Sequence, residues 1–350
     1  MQIQSWSILG SSFHFGLHGL GQEKTSPTLS SDSLFGALVA RLARSAKPAV
    51  VDAFCQPFVN GQAPFVLTST FPLAGGVRFF PPPLTSRKPP EKPVPGRDAK
   101  AFKRVAFVSE TLFRQLLDGA MLSGLSGTHS LQGGQLWLSA EEFERLPAAL
   151  QEEEAKAWVE EQRPRVTIDR ASQAATLFFT GQVTFAESCG LWFGIHWQTN
   201  DSALQKQVAD LLADLSEAGL GAERNSGLGA AKIDRLGEFA LPDPAAKWTT
   251  LSRYLPREAE IGALRHPDSA YTLNSVGGWL DSAAKPGQRR KTVNLLAEGS
   301  VFGALPGPLP GQVADVRPIY GKDNLDPLGH PVYRFGLALA VGMGRKAGDA

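Results

Sequence analysis

The chain has 350 residues, of which 43% are hydrophobic and 20% are charged, so it can form two domains of ordinary size and is not a disordered tail. Its 35 basic and 34 acidic residues leave a formal net charge of +1, so any nucleic-acid signature has to be local. Since no basic leader is present and no apolar run approaches the ~20 residues that span a bilayer, we expect a soluble cytoplasmic protein without membrane contact.

The first half predicts the element order β-α-β-β-α-β. Ser30, Ser31 and Asp32 are typical N-cap residues, and apolar residues follow them at helical spacing. Alternating or β-branched stretches mark the strands. Strands are predicted at residues 2–9, 65–71 and 104–108, and helices at 34–42 and 109–117.

A basic, proline-rich insertion interrupts this half at about residues 80–103. Its prolines forbid a regular helix or an interior strand. The cations outnumber Glu91 and Asp98, so the segment could attract phosphate, or it could be a solvated charged loop. The cations are Arg87, Lys88, Lys92, Arg97, Lys100, Lys103 and Arg104.

The second half again predicts strands followed by a helix. Glu141–Glu161 is acidic and rich in helix formers, which favours a solvated connecting helix near a domain boundary. Apolar residues alternate over 191–197, which is typical of a strand in a sheet with two unlike faces. Strands are predicted at 176–185, 191–197, 231–239, 291–296, 312–318 and 332–340, and a helix at 202–218. The elements indicate an α+β fold with one unit over 1–165 and another over 166–350, each built on an antiparallel sheet.

A glycine-rich loop at residues 219–229 follows the predicted helix. Its glycines allow positive φ and expose backbone N–H groups to a phosphate, while Arg224, Asn225 and Ser226 add polar donors. Neither dinucleotide nor P-loop fingerprints fit its position. RNA backbone is a suitable ligand, and a turn of structural glycines is the alternative.

This loop resembles the glycine-rich signature of the RAMP superfamily. Further short segments, in the same order, resemble the Csm subunit four family of type III-A CRISPR effector complexes. They are Phe13–Gly16, Ser31–Leu38, Phe65–Pro72, Phe79–Pro83, Gly277–Trp279, Glu298–Phe302 and His330–Gly336. One departure is the turn Asn274–Gly278, which lacks the arginine of the family's pattern, so no RNA contact is predicted there.

The resemblance implies two ferredoxin-like (RRM-like) domains and a scaffold that lacks catalytic activity, metal and cofactor. Such a subunit caps the 5′ tag of CRISPR RNA (crRNA) and docks the large Cas-ten-type polymerase/cyclase subunit in antiviral defence. It also meets the neighbouring backbone RAMP subunit and, indirectly, target RNA. The family's projecting hairpin, which bends the RNA, would correspond to part of Phe80–Lys103.

The RNA tag is expected in a cleft between the domains, held by glycine loops, a helix N-terminus and the basic insertion. Side chains such as His14, Arg224 or Asn225 would recognise bases. The predicted RNA-binding residues are His14, Phe15, Gly16, His18, Ser31, Ser33, Arg87, Lys88, Lys92, Arg97, Lys100, Lys103, Arg224, Asn225, Ser226, Gly227, Leu228 and Gly229.

Three alternatives remain. A metal-independent, repeat-cleaving endoribonuclease could use His14 or His18 as general base, although spacing identifies no lysine or tyrosine partner. The chain could be the type III-B (Cmr) counterpart, or a purely structural subunit whose basic loop meets protein. Cys55 and Cys189 are too few for a disulfide framework or an all-cysteine zinc site, and no other metal-ligand spacing occurs. The remaining aromatic candidates are expected to be core or interface residues: Trp192, His196, Trp197, Trp248 and Trp279.

Overall fold

A computed structural model describes residues 1–16, 24–87, 99–280, 287–319 and 328–344. Helices and mostly antiparallel sheets alternate along it, which confirms the predicted α+β class. Within these ranges none of the helices has the length and hydropathy needed to cross a membrane. Cys55 and Cys189 are both buried and unpaired.

The elements are numbered in chain order. The strands are β1 (Gln2–Leu9), β2 (Ser12–Phe13), β3 (Phe65–Leu67), β4 (Phe71–Ala74), β5 (Val77–Phe80), β6 (Phe107–Ser109), β7 (Thr128–Leu131), β8 (Leu136–Ser139), β9 (Trp158–Ile168), β10 (Ala175–Phe185), β11 (Cys189–Trp197), β12 (Lys232–Ala240), β13 (Trp248–Thr250), β14 (Leu273–Val276), β15 (Val293–Leu296), β16 (Val301–Phe302), β17 (Gly311–Asp315), β18 (Tyr333–Leu337) and β19 (Ala340–Gly342). The helices are α1 (Ser31–Ser45), α2 (Pro48–Val59), α3 (Ala99–Arg104), α4 (Glu110–Leu117), α5 (Ala140–Glu144), α6 (Ala148–Gln151), α7 (Ser202–Ala218) and α8 (Ile261–Leu264).

The largest sheet joins strands that are far apart in sequence. Its order is β12-β1-β11-β4-β5-β6-β8-β7, and β3 also pairs with β11. The first strand lies between β11 and β12, so strands from both sides of residue 165 pair directly. The boundary at residue 165 stays a prediction, but it does not separate the sheets.

Strand β11 corrects the expectation of two unlike faces. Every residue from Cys189 to Ile195 is buried, because β11 is central in the sheet and side chains cover both of its faces. On one face the Trp192 ring packs against Phe71, Phe80 and Phe239. Its indole N–H donates to the Phe79 carbonyl over 2.9 Å.

Helices α1 and α7 confirm the apolar spacing in the sequence. In α7 the Asp201 carboxylate caps the helix by accepting from the N–H groups of Ala203 and Leu204, each over 3.0 Å. The buried face of α7 consists of Val208, Leu211, Leu212 and Leu215. Helix α1 buries Leu34, Phe35, Leu38 and Leu42. The two helices contact each other, and α7 also contacts β12.

Several predicted elements differ from the structure, among them the strand over 332–340, which is divided into β18 and β19. The connecting helix over Glu141–Glu161 is wrong, because Pro147 separates the short helices α5 and α6 and β9 begins at Trp158. The strand over 104–108 is displaced, since the helix formers at Ala99–Arg104 form α3. That helix begins beyond the last proline of the insertion, so part of the insertion is helical. The strand over 65–71 is divided into β3 and β4.

Candidate nucleic-acid interface

The glycine loop, residues 219–229, packs against the segment that follows β1. The Gly229 N–H donates to the Ser12 carbonyl over 2.8 Å, and the Ala222 N–H donates to the His14 carbonyl over 3.0 Å. A Cβ atom at Gly221 would stand 2.7 Å from the His14 carbonyl oxygen, so only glycine allows this close approach. The structure therefore brings together two of the predicted binding segments.

The outer side of the loop is polar and accessible. Arg224, Asn225 and Ser226 form a short 3₁₀ turn that ends at Gly227, whose φ is 86°. All four residues are exposed. Leu228 and Gly229 are buried, so these two anchor the loop and do not face a ligand.

A polar groove of about 640 Å³ lies beside this turn, where the C-terminal ends of α1 and α7 meet. It is lined by three arginines and two carboxylates. The Arg41 guanidinium donates two hydrogen bonds, of 2.6 and 2.7 Å, to the carboxylate of Asp214. The hydrogen bonds raise the pKa of Arg41 and lower that of Asp214. The lining residues are Arg41, Arg44, Asp214, Glu217, Ala218, Arg224 and Asn225.

His14 and Phe15 do not present their rings to solvent. Each side chain is 4% exposed, and the Phe15 ring stacks on Phe13 with centroids 5.2 Å apart. Nδ1 of His14 lies 2.6 Å from the Gly181 carbonyl and must donate to it. We therefore do not propose that the His14 ring recognises RNA bases. Gly16 is exposed, and His18 lies outside the described residues.

The contact between His14 and Gly181 connects the segment that follows β1 to a long β-hairpin, which we call the 158–185 hairpin. Its strands β9 and β10 each have 11 residues. Near its base Trp158, Val183 and Phe185 belong to the core. Beyond Thr180 most of its side chains are exposed, so the ribbon projects from the core.

One face of this projecting ribbon is apolar. Val166 is opposite Leu177, and Pro164 is opposite Phe179, so their side chains share a face. Val166 is 56% exposed, Leu177 60% and Phe179 41%. Contiguous exposed apolar side chains of this kind mark an interaction surface.

The opposite face of the 158–185 hairpin is polar. Arg165 is paired with Phe178 and Arg163 with Thr180, and Arg163 also forms an exposed ion pair with Glu161. Beyond the strands, Asp169 accepts hydrogen bonds from the Ser172 and Ala171 N–H groups at the tip, and these bonds lower its pKa. The ribbon thus has one face suited to apolar contacts and one suited to phosphate.

The start of α1 lies elsewhere, because about 20 Å of helix separates Ser31 from Arg44 at the groove. The Ser31 N–H donates to the Ser69 hydroxyl over 2.8 Å, and the Ser31 hydroxyl accepts from the Arg253 N–H over 3.0 Å. Ser31 is fully buried and bonded, so it is not available to a phosphate. Ser33 is half-buried, and its hydroxyl accepts from that of Ser30.

An ionic cluster, defined by Asp32, Arg253, Arg334 and Glu298, occupies this helix start; its central pair, Asp32 and Arg334, is buried. Arg334 donates to the Asp32 carboxylate over 2.5 Å, and Arg253 lies 3.4 Å from it. Ser69 donates to Glu298, which is 3.8 Å from Arg253. Five of the segments that carry the family resemblance meet here, although no member of the cluster was predicted as a functional residue. In the sequence, the available signal is that Asp32, Glu298 and Arg334 lie within segments that carry the resemblance.

The basic insertion is described only in part. Arg87 is half-buried and donates to the Ala106 carbonyl over 3.4 Å, while burial lowers its pKa. Its Nε has no partner among the described residues. Lys100 and Lys103 are exposed on α3. Lys88, Lys92 and Arg97 lie outside the described residues, as does the segment expected to form the projecting hairpin. The projecting hairpin that the structure does describe is 158–185.

In the described ranges, no group of three or more His, Cys, Asp or Glu side chains could hold a metal ion. Within those ranges the candidate interface offers a ligand backbone N–H donors, arginine side chains and apolar side chains.

Comparisons with known proteins agree with this geometry. Residues 243–343 match the family model described as the CRISPR Csm4 C-terminal domain. A curated relative from Thermococcus onnurineus (strain NA1), "CRISPR system Cms protein Csm4", is 24% identical over 315 residues, which cover 89% of this chain and 91% of the relative.

Two solved structures share the fold. A chain of the Csm3–Csm4 subcomplex in a type III-A CRISPR-Cas interference complex is 16% identical; the match covers 98% of this chain and 100% of that chain, with a TM-score of 0.64. A chain of a Csm1–Csm4 cassette with cA4 is also 16% identical, covers 98% of both chains, and has a TM-score of 0.58. Residues 243–343 thus match the Csm4 C-terminal domain, and the chain as a whole is similar to Csm4 proteins in sequence and in fold.

Proposed function

We propose that this chain is a non-catalytic, RNA-holding subunit of a cytoplasmic type III-A CRISPR interference complex, and that it caps the 5′ tag of the crRNA. The carrying observation is that the glycine loop and the base of the 158–185 hairpin are both hydrogen-bonded to the Ser12–Gly16 segment, which places the loop next to the hairpin. The similarity to Csm4 proteins adds the type III-A CRISPR context. We also propose that the chain contains two ferredoxin-like units, although strands from both sides of residue 165 share one sheet.

The loop would hold the RNA backbone. Arg224 supplies a cation, and Asn225 and Ser226 supply neutral donors, all of them exposed. Arg41 and Arg44 border the same groove. Contacts of this kind position a phosphate backbone without reading its sequence.

The 158–185 hairpin would deform the RNA. Its apolar face, with Val166, Leu177 and Phe179, can be inserted against bases, as apolar wedges do in other nucleic-acid complexes. The arginines of the opposite face are placed to hold the adjoining phosphates. The correspondence of the 80–103 insertion to the family's projecting hairpin stays a prediction, because residues 88–98 lie outside the described residues.

Two protein partners follow from the relatives. One similar structure is a Csm1–Csm4 cassette and another is a Csm3–Csm4 subcomplex. We propose that this chain docks the corresponding large Cas-ten-type subunit and one backbone RAMP subunit, and meets target RNA indirectly.

The glycine-loop assignment predicts a specific loss. Changing Arg224 and Asn225 to Ala should weaken binding of tag-bearing RNA about three- to tenfold and reduce the salt slope by about one. The measurement is salt-titrated binding of the full chain, with and without the large subunit, to RNA with an authentic or a scrambled 5′ tag. Lys206→Ala, an exposed cation on α7, is the control.

The outcomes separate the functions. Tag-dependent binding of intact RNA supports the proposal. RNA shortened on a gel in the absence of metal would make the chain an endoribonuclease. Failure to bind RNA with the large subunit present would leave only the structural role.

The basic insertion gives a second test. Neutralising Arg87, Lys100 and Lys103 together should flatten the salt dependence of RNA binding by up to about three charges. An unchanged slope would show that these cations contact protein or solvent. Lys206→Ala, the exposed cation on α7, is again the control.

A further inference from the structure

The turn after β14 carries an exposed tryptophan that the proposed interface does not use. Trp192 and Trp248 are fully buried, whereas Trp279 is 45% exposed. The Arg289 guanidinium carbon lies over the Trp279 ring, 4.5 Å from its centroid. The two residues are also opposite each other in an isolated β-bridge. An exposed aromatic ring is thus already associated with a cation.

The turn Asn274–Gly278 contains no cation of its own. A cation reaches it from the returning strand of the hairpin, where Arg289 is opposite Trp279.

The local charge is positive. Residues 271–280 and 287–297, the described parts of this hairpin, contain Arg289, Arg290 and Lys291 but no carboxylate. Arg289 and Lys291 are exposed. The residues between these two parts add one acid, Asp281, and one base, Lys285, so the sequence of the hairpin keeps an excess of positive charge.

The turn is also held in place. Arg334 of the ionic cluster donates to the Gly277 carbonyl over 2.9 Å. The Arg290 N–H donates to the Gly278 carbonyl over 2.9 Å, and the Lys291 N–H donates to the Val316 carbonyl over 2.8 Å. Since the backbone is fixed before a ligand arrives, little ordering would accompany binding.

We propose that Trp279 and Arg289 form a second contact for single-stranded RNA, in which a base stacks on the aromatic–guanidinium pair while Arg289 and Lys291 meet phosphates. Aromatic rings and guanidinium planes are the surfaces on which proteins stack unpaired RNA bases. The contact rests on the proposed RNA-holding function and extends it to the C-terminal part of the chain.

The test compares variants of the full chain with labelled single-stranded RNA that carries the 5′ tag. Trp279→Ala should raise Kd about tenfold, whereas Trp279→Phe, which keeps a stackable ring, should retain most of the affinity. Arg289→Ala should lower the salt slope by about one. Arg145→Ala, an exposed arginine on a different element, is the control, and thermal unfolding of each variant checks the fold.

Several results would overturn the contact. Wild-type affinity in Trp279→Ala would do so, as would equal losses in the Ala and Phe variants. If Trp279→Ala weakens binding of the large subunit but not of RNA, the turn that carries Trp279 is a protein-binding surface. If Arg224→Ala weakens RNA binding and Trp279→Ala does not, the proposed function stands and this inference fails. Absence of RNA binding by the wild type removes both.

Discussion

Replacing Asp32 with Asn is expected to lower the free energy of unfolding by about 3–5 kcal/mol, since it leaves a buried charge without its partner. The Arg334 side chain is only 4% exposed, and that of Asp32 is fully buried. Asparagine keeps the shape of the side chain but not its charge. Urea denaturation of the two proteins measures the difference.

An exposed ion pair provides the matched control. Asp214→Asn removes the carboxylate that meets Arg41, but the side chains there are 36% and 21% exposed. Solvent screening should limit that loss to about 1 kcal/mol or less. Equal losses in the two variants would mean that burial does not increase the contribution of the Asp32–Arg334 ion pair to the free energy of unfolding.

The same cluster predicts a pH dependence. Burial by itself raises the pKa of Asp32, but Arg253, Arg334 and the hydrogen bonds to Ser30 and Arg334 bring it below the ordinary value of 3.8. Because the folded-state pKa is lowered, the stabilisation is complete above the unfolded-state value and is lost as pH falls through the folded-state value. The difference between wild type and Asp32→Asn should therefore narrow below about pH 4.

Replacing Val166, Leu177 and Phe179 with Ser should weaken binding of tag-bearing RNA about ten- to a hundredfold, because an apolar wedge loses its contact with bases. Stability should change by less than about 1 kcal/mol, since these side chains are 41–60% exposed. Fluorescence anisotropy with RNA measures binding, and urea denaturation measures stability.

The opposite face of the hairpin offers a matched set of substitutions. Thr167 and Thr176 are paired on that face, so changing both to Ser alters the same region of the ribbon without touching its apolar side. This variant should bind RNA like the wild type. Wild-type binding by the apolar-face variant would show that the face contacts protein.

Local elements follow from the sequence where capping and periodicity agree. The helix predicted at 202–218 is α7, with Asp201 as its cap. The acidic stretch that runs into β9 is misleading, because its glutamates favour a helix. Pro164 disfavours a helix, and the β-branched residues Val166, Thr167 and Ile168 favour a strand. Those later residues decide the outcome.

Long-range features could not be predicted from local patterns. Asp32 and Arg334 are separated by 302 positions, and neither has a local signature of burial. The burial of His14 depends on Gly181, 167 positions away. The glycine loop was recognised because glycines and donors occur together within a few residues, whereas the pairing of the loop with the hairpin requires the fold.

The position of β1 also sets a condition on how the chain folds during synthesis. Both of its neighbours, β11 and β12, are encoded much later, and β12 ends at Ala240. At 5–20 residues per second, about 10 to 50 s pass between emergence of the first strand and its second partner. Ile3 and Ile8 are both fully buried in the folded protein. During this time they cannot form all of their native packing contacts. A nascent chain that stops near residue 165 contains β1 and neither of the strands that complete it.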